Sequence, residues 1–323
     1  MSKSYEGDVM KRNILVTAIG TITATSIVKQ LKQCSDKFYV IGADINQREL
    51  VVSSKDVDEY HVFPSAVENQ NLYLKFVVEF CKKYKVDYLF PVIDEEIVTY
   101  SDNRKLFESI GVKLCIPNKN LVDTCHYKNV FSDWIFKNIP KIYIKTFAKE
   151  CVNDYPVFVK PIEGRASDGC RVVNTKLELE QIKNLENYVI QELIQGEIIT
   201  VDVLRNESTG KCICIPRKEL LRNKNGCGIA VKIIHDEILE EICSDIAIKL
   251  KLNGVINIEF FKIEQEYKVI EINPRFSAGS EYSYLAGCNL ALEAIAAVDG
   301  TIGEHVNIVY GKNYARRYET YEL

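Results

Sequence analysis

The chain has 323 residues, 47% hydrophobic and 27% charged, with a formal net charge of -4. That length exceeds one ordinary core and fits two or three packed lobes. The near-balance of charge excludes a general attraction to nucleic acid or anionic membrane, and no run approaches the ~18 apolar residues of a spanning helix. The opening "MSKSYEGDV" lacks the apolar core of a secretion signal and reads as a short polar leader before Met10. The 11 scattered cysteines, without an export signal, read as reduced thiols of a cytoplasmic protein. Cys212 and Cys214 fall on one strand face, but no second pair completes a zinc site, and His61, His126, His235 and His305 lie far apart.

In chain order, "RNILVTAIGTITATSIVKQL" predicts a buried strand, a turn at Gly20 and a helix. "FYVIGADIN" predicts a strand ending on Asp44, and "NLYLKFVVEFCKKYKV" a helix. "DYLFPVID" predicts a strand running into the acidic cluster Asp94, Glu95 and Glu96. Short apolar strands alternating with helices give an α/β parallel sheet with helices on both faces. Ligands of such sheets gather at the carboxyl ends of the strands. Gly20 lies outside any G-x-G-x-x-G pattern, so the usual dinucleotide fold is poorly supported.

Around Pro117 the pattern changes. "NKNLVDTCHYKNVFSDWIFKN" predicts two short helices joined near Tyr127, and "YPVFVKPIEGRASDGCRVV" a strand, a loop and a strand. "YVIQELI" is a further strand. "GEIITVDVLRN" pairs with "KCICIPRKELL" across the turn "NESTG", and "DEILEEICSDIAIKLKL" is an amphipathic helix.

"GVINIEFFKI" and "YKVIEINP" read as a hairpin. With Glu264, Gln265 and Glu266 as its turn, Ile263 opposes Tyr267, Phe261 opposes Val269, Glu259 opposes Glu271 and Asn257 opposes Asn273. Ile256, Ile258, Phe260, Ile270 and Ile272 then form the core face. Opposed glutamates repel, and a hard divalent cation converts that repulsion into binding. Mg²⁺ takes oxygen ligands, typically one or two carboxylates plus substrate phosphates. Asn273 adds a neutral oxygen, and Arg275, just beyond the strand, is placed to reach a transferring phosphoryl group. The alternative is a solvated hairpin face.

Lys160 ends an apolar strand and is followed by a loop containing Gly164, Ser167 and Gly169. Small residues let backbone N–H groups approach an anion, which the ammonium helps neutralise. The pattern is not a P-loop. It suits either a flap over phosphates or an ordinary hairpin with an exposed lysine.

Together these segments resemble the ATP-grasp superfamily, and within it carboxylate-amine ligases similar to the ATP-grasp half of the carbamoyl-phosphate synthetase large subunit. "VIEINPRFS" resembles the family's metal-binding strand, "NIEF" its partner, "VFVKPIEGRASDGC" its nucleotide flap, "YVIQELIQGE" its adenine hinge, and "HYKNVFSDWI" the helix with a phosphate-contacting lysine. The resemblance implies a pre-ATP-grasp α/β domain at 1–116, a small lobe with the flap at 117–191 and a C-terminal lobe with the metal site at 192–323. The two lobes form an α+β ATP-grasp domain. It implies that Lys128 and Lys160 contact ATP phosphates, that Gly164, Arg165, Ala166, Ser167 and Gly169 close over them, and that Gln191, Glu192, Leu193 and Ile194 bracket adenine. Glu259, Glu271 and Asn273 would hold Mg²⁺ or Mn²⁺. Arg275 and Arg217 would act on the phosphoryl group and the acid substrate. Relatives carry G-x-E-Y-T-V, whose glutamate binds ribose. Here Ile198 stands at that position, and Glu197 or Glu192 is the substitute.

The implied activity is an ATP-dependent C–N ligase that joins a carboxylate, an amino acid or other small acid, to an amine through an acyl phosphate. The alternatives are phosphorylation of bicarbonate or carbamate, and ATP binding without catalysis. Ser277, Ser280, Glu281, Asp94, Glu95 and Asp202 are the candidates for reading the acceptor. The aromatic tail "YGKNYARRYETYEL" either packs back on a lobe or meets a second subunit in a homo-oligomer.

Overall fold

The computed structural model describes residues 11–164 and 168–323. Arg12–Val16 (β1), Phe38–Asp44 (β2), Glu59–Val62 (β3), Tyr88–Phe90 (β4) and Lys113–Leu114 (β5) form a parallel sheet in the order β3-β2-β1-β4-β5. Ile14, Leu15 and Val16 are consecutive and fully buried, as expected of a central parallel strand covered on both faces. Ile22–Lys32 (α1) covers one face. Gln70–Lys83 (α2), Asp94–Asp102 (α3) and Arg104–Ser109 (α4) cover the other. Thr21 starts α1 by accepting the Ala24 N–H at 3.2 Å.

Strand order reverses between β1 and β4, which opens a crevice at their carboxyl ends. The acidic cluster begins α3 here, where carboxylates complement the helix dipole. Glu96 does not face a ligand. It is buried and accepts hydrogen bonds from Thr17 Oγ1 at 2.7 Å and from the Tyr73 hydroxyl. Burial pushes its carboxyl up to about 7.

Lys119–His126 (α5) and Lys128–Asn138 (α6) follow, joined at Tyr127 as the sequence predicts. Thr146–Phe147 (β6), Val157–Pro161 (β7), Arg171–Val173 (β8) and Tyr188–Glu192 (β9) form a small antiparallel sheet in the order β6-β9-β7-β8. Its apolar face packs on Leu179 of the short helix Lys176–Glu180 (α7).

The third sheet is antiparallel, in the order β14-β13-β10-β11-β12-β15. It comprises Glu197–Arg205 (β10), Cys212–Arg222 (β11), Gly228–Ile233 (β12), Gly254–Ile263 (β13), Glu266–Asn273 (β14) and Asn313–Ala315 (β15). One face buries Ile199, Val201, Val203, Ile256 and Ile258 against α5, α6 and Glu237–Lys249 (α8). On the opposite face, Leu204, Ile215 and Val255 share a core with α1, Ser280–Leu285 (α9) and Leu290–Asp299 (α10). The first and third sheets are thus joined through helices, which fixes the crevice relative to the hairpin β13–β14. β15 places the start of the aromatic tail back on the third sheet, beside β12.

The hairpin departs from the sequence expectation in an instructive way. Ile263 pairs with Glu266, so the turn is Glu264–Gln265, and Glu264 takes a positive φ of 53°. Phe261 opposes Lys268 rather than Val269. A β-bulge between Glu259 and Phe260 on one strand, and Ile270 on the other, then absorbs one residue. Beyond it, Glu259 opposes Glu271 and Asn257 opposes Asn273, as expected. The bulge also overturns the expectation for Ile270, which leaves the core face and lines a cavity beside Glu271.

Candidate active site

A cavity of about 500 Å³ lies between the small sheet and the open face of the third sheet. Because side chains alternate, strand register alone puts two rows of polar residues on that face. Asp202, Asn257 and Asn273 form one row. Arg217, Thr200, Glu259 and Glu271 form the next, and Glu219 lies one step beyond Arg217. The strands of the small sheet supply Phe158, Lys160, Val172, Gln191 and Glu192, and the segments that follow them supply Gly164, Leu193 and Ile194.

Lys160 is buried, and its Nζ donates to the Ile270 carbonyl at 3.3 Å. Burial pulls its ammonium down to about 8. Lys128, in the first turn of α6, donates through Nζ to the Gly164 carbonyl at 2.9 Å. Two lysines from different elements therefore converge where the flap begins. Burial first, and then the Glu271 carboxylate, push the Glu259 carboxyl up to about 7, against the pull of the Arg222 guanidinium 2.7 Å away. Asn273 Nδ2 donates to Glu271 Oε1 at 3.1 Å, leaving its own carbonyl oxygen on the same side. Arg275 crosses from the end of β14 to the crevice of the first sheet, where its Nε donates to Asp94 Oδ1 at 2.6 Å.

Arg217 is buried and held on three sides. Nη1 donates to Asp202 Oδ2 at 2.7 Å, Nη2 to Ser277 Oγ at 3.2 Å and Nε to Glu219 Oε1 at 3.3 Å. A Cβ on Gly279 would come 2.4 Å from Nη2, so glycine is needed for the guanidinium to fit. Asp202 is fully buried and also accepts from Ser277, Ser283 and Asn257. It is an internal anchor, and it does not line the cavity.

Lys128, Lys160, Gly164, Gln191, Glu192, Leu193, Ile194, Arg217, Glu259, Glu271, Asn273 and Arg275 all line the one cavity. Gly169 is turned against Pro161 and does not line it. Arg165, Ala166 and Ser167 lie outside the described residues. Glu197 is exposed, forms an ion pair with Lys218 and does not line the cavity, whereas Glu192 does. Among the acceptor candidates, Ser277 and Asp94 line the cavity. Ser280 hydrogen-bonds Ser26, and Glu281 pairs with Lys29 at 2.7 Å. Sequence reasoning missed Arg222, Glu219 and Thr200. The alternation Arg217, Glu219 in "IPRKELLR" was visible, but their meeting with Thr200 and Glu259 depends on pairing across three strands. Among the described residues no group of three His, Cys, Asp or Glu gathers as a metal cluster.

A parallel-sheet domain, a small antiparallel lobe and a larger antiparallel lobe enclosing lysines, opposed glutamates and arginines define the ATP-grasp architecture. The family "ATP-grasp in the biosynthetic pathway with Ter operon" matches residues 184–319, and "PylC-like, N-terminal domain" matches 14–115. The chain belongs to the ATP-grasp superfamily. It is 26% identical over 153 residues to 3-methyl-D-ornithine–L-lysine ligase of Methanosarcina mazei, a match covering 46% of this chain and 40% of that ligase. It is 27% identical over 206 residues to the carbamoyl phosphate synthase large chain of Agathobacter rectalis, covering 55% of this chain and 19% of that one. These matches thus span less than half the length of either relative. Biotin carboxylase of Campylobacter jejuni shares the fold, with a TM-score of 0.74 at 16% identity over 93% of this chain and 74% of that one. No helix among the described residues is long and apolar enough to cross a membrane.

Proposed function

We propose that the chain is an ATP-dependent ligase that joins the carboxylate of an amino acid or other small acid to an amine. The observation that carries this reading is the convergence of Lys160, the opposed pair Glu259 and Glu271, Asn273 and Arg275 in one cavity. Glu259 and Glu271 face each other across the hairpin, and a cation between them would offset their repulsion. Thr200 Oγ1 and Glu219 Oε2 are buried cavity-lining atoms without a hydrogen-bond partner among the described residues. The side-chain oxygens of Glu259, Glu271 and Asn273 fit Mg²⁺ with nucleotide phosphates, and the two unpartnered oxygens leave room for a further polar ligand group.

In this reading Glu259, Glu271 and Asn273 hold Mg²⁺, which offsets phosphate charge when bound. Lys128 and Lys160 bind ATP phosphates beside Gly164. Gln191 to Ile194 bracket adenine, with Phe158 and Ile270 as apolar walls, and Glu192 faces the ribose. The three-part division at 116 and 191 is part of the same proposal. The substrate carboxylate attacks the γ-phosphorus as the bond to ADP breaks. The amine nitrogen then attacks the acyl carbon, phosphate leaves, and the extra proton passes to solvent. Such transfer depends on positioning and charge more than on a protein nucleophile. Arg275 stabilises the phosphoryl oxygens, and Arg217 presents its remaining N–H groups from a fixed position. A closed cavity protects the acyl phosphate from water.

The test is release of ADP and phosphate from Mg-ATP across a matrix of paired amino acids and other small carboxylates, with Glu271→Gln as control. Turnover that needs one acid and one amine, and is lost in the control, supports the reading. Turnover with bicarbonate alone refutes it.

A further inference from the structure

We propose that Glu219 is the residue that reads the ammonium group of an amino-acid substrate. This deepens the ligase reading and rests on it. Glu219 lies on β11 two residues beyond Arg217, so both side chains share the cavity face. Its side chain is 3% exposed. Oε1 accepts from Arg217 Nε at 3.3 Å, while Oε2 has no hydrogen-bond partner among the described residues.

The charge around it does not balance. Arg217 is shared between Asp202 and Glu219, so this buried triad carries one excess negative charge. Asp202 is satisfied by four neighbours, which leaves the deficit on Glu219 Oε2. The other arginines of the cavity are engaged, Arg222 with Glu259 and Arg275 with Asp94. An ionised carboxylate oxygen buried without a partner is costly, and a ligand that brings a cation removes the cost.

The geometry suits a hydrogen-bonding cation. Thr200, opposite Arg217 and diagonal to Glu219 on the same face, offers a second unpartnered oxygen, and it is 2% exposed. A primary ammonium has three donors to share between such oxygens. The fit is shaped by Gly228, where a Cβ would stand 2.2 Å from Glu219 Oε2.

The experiment titrates free L- and D-amino acids, and their N-acetyl derivatives, into wild type, Glu219→Gln and Gly228→Ala saturated with Mg-AMP-PNP. Gly228→Ala keeps the carboxylate but displaces it, and it carries the test if the glutamine variant fails to fold. The proposal expects at least one free amino acid to bind wild type and its N-acetyl form to bind at least about tenfold more weakly. Both variants should lose a similar factor for the free amino acid, with AMP-PNP affinity unchanged. Equal binding by the N-acetyl form, wild-type binding by the folded variants, or no amino acid binding while AMP-PNP is held, each overturns the role of Glu219. Failure of wild type to bind AMP-PNP removes the ligase reading itself.

Discussion

Replacing Glu96 by glutamine tests how the start of α3, and with it Asp94, is held against the site. Glu96 is 2% exposed and accepts from Thr17 and Tyr73, yet burial raises its carboxyl from an ordinary 4.5 to about 7. Between those values the folded protein keeps a proton that the unfolded chain has released. Stability from this group therefore falls as pH rises through the window and levels off above about 7. The difference corresponds to about 3 kcal/mol at ~1.4 kcal/mol for each tenfold change in proton affinity. Glutamine is neutral at every pH and mimics the protonated acid. The assay is urea unfolding of wild type and Glu96→Gln from mildly acid to mildly alkaline pH, followed as the difference between the two, which cancels other titrating groups. The variant should be more stable by about 3 kcal/mol above the window, and the two should converge at its acid end. Parallel profiles, or a variant less stable at alkaline pH, would refute the reasoning.

Asp202→Ala leaves Arg217 buried without its main partner and should cost about 3–5 kcal/mol, read as a lower denaturant midpoint. Lys160→Met should weaken ATP binding by roughly ten- to hundredfold, because a charge-assisted bond is lost. Its melting temperature should hold or rise, since burial already disfavours the ammonium; calorimetric titration and a thermal scan read the two effects. All 11 cysteines are free and Cys151 alone among the described residues is exposed, so a thiol reagent should modify one group quickly and the others slowly, and Cys151→Ser should remove the fast phase.

The centre of the parallel sheet was legible because β1, β2 and β4 are short apolar runs, a signal local to a few residues, whereas the edge strands β3 (EYHV) and β5 (KL) carry no such run and were not read. The helix α10 was not read at all. Its sequence "LALEAIAAVD" is apolar nearly all round, because it is buried between α1 and the strands β10 and β13, and no amphipathic stripe marks it. The opposed glutamates were placed correctly by two compensating departures, a turn one residue shorter than expected and a bulge at Ile270 that restores the count. A bulge is a choice of backbone hydrogen bonding and leaves little trace in side-chain alternation. Ile270 was accordingly assigned to the wrong face. Lys160, the glutamates and Arg275 were singled out by pattern, and Lys128 by the family resemblance alone. The fixed state of Arg217, the burial of Asp202 and the cavity position of Glu219 follow from contacts among strands far apart in sequence, which no local spacing encodes.

Once the matrix has named an acid and an amine, heavy oxygen placed in the acid's carboxylate tests the central claim most directly. An acyl phosphate requires one labelled oxygen to leave with inorganic phosphate as the amide forms, so mass spectrometry should find the label there in step with ADP release. Amide formation with unlabelled phosphate would contradict the account.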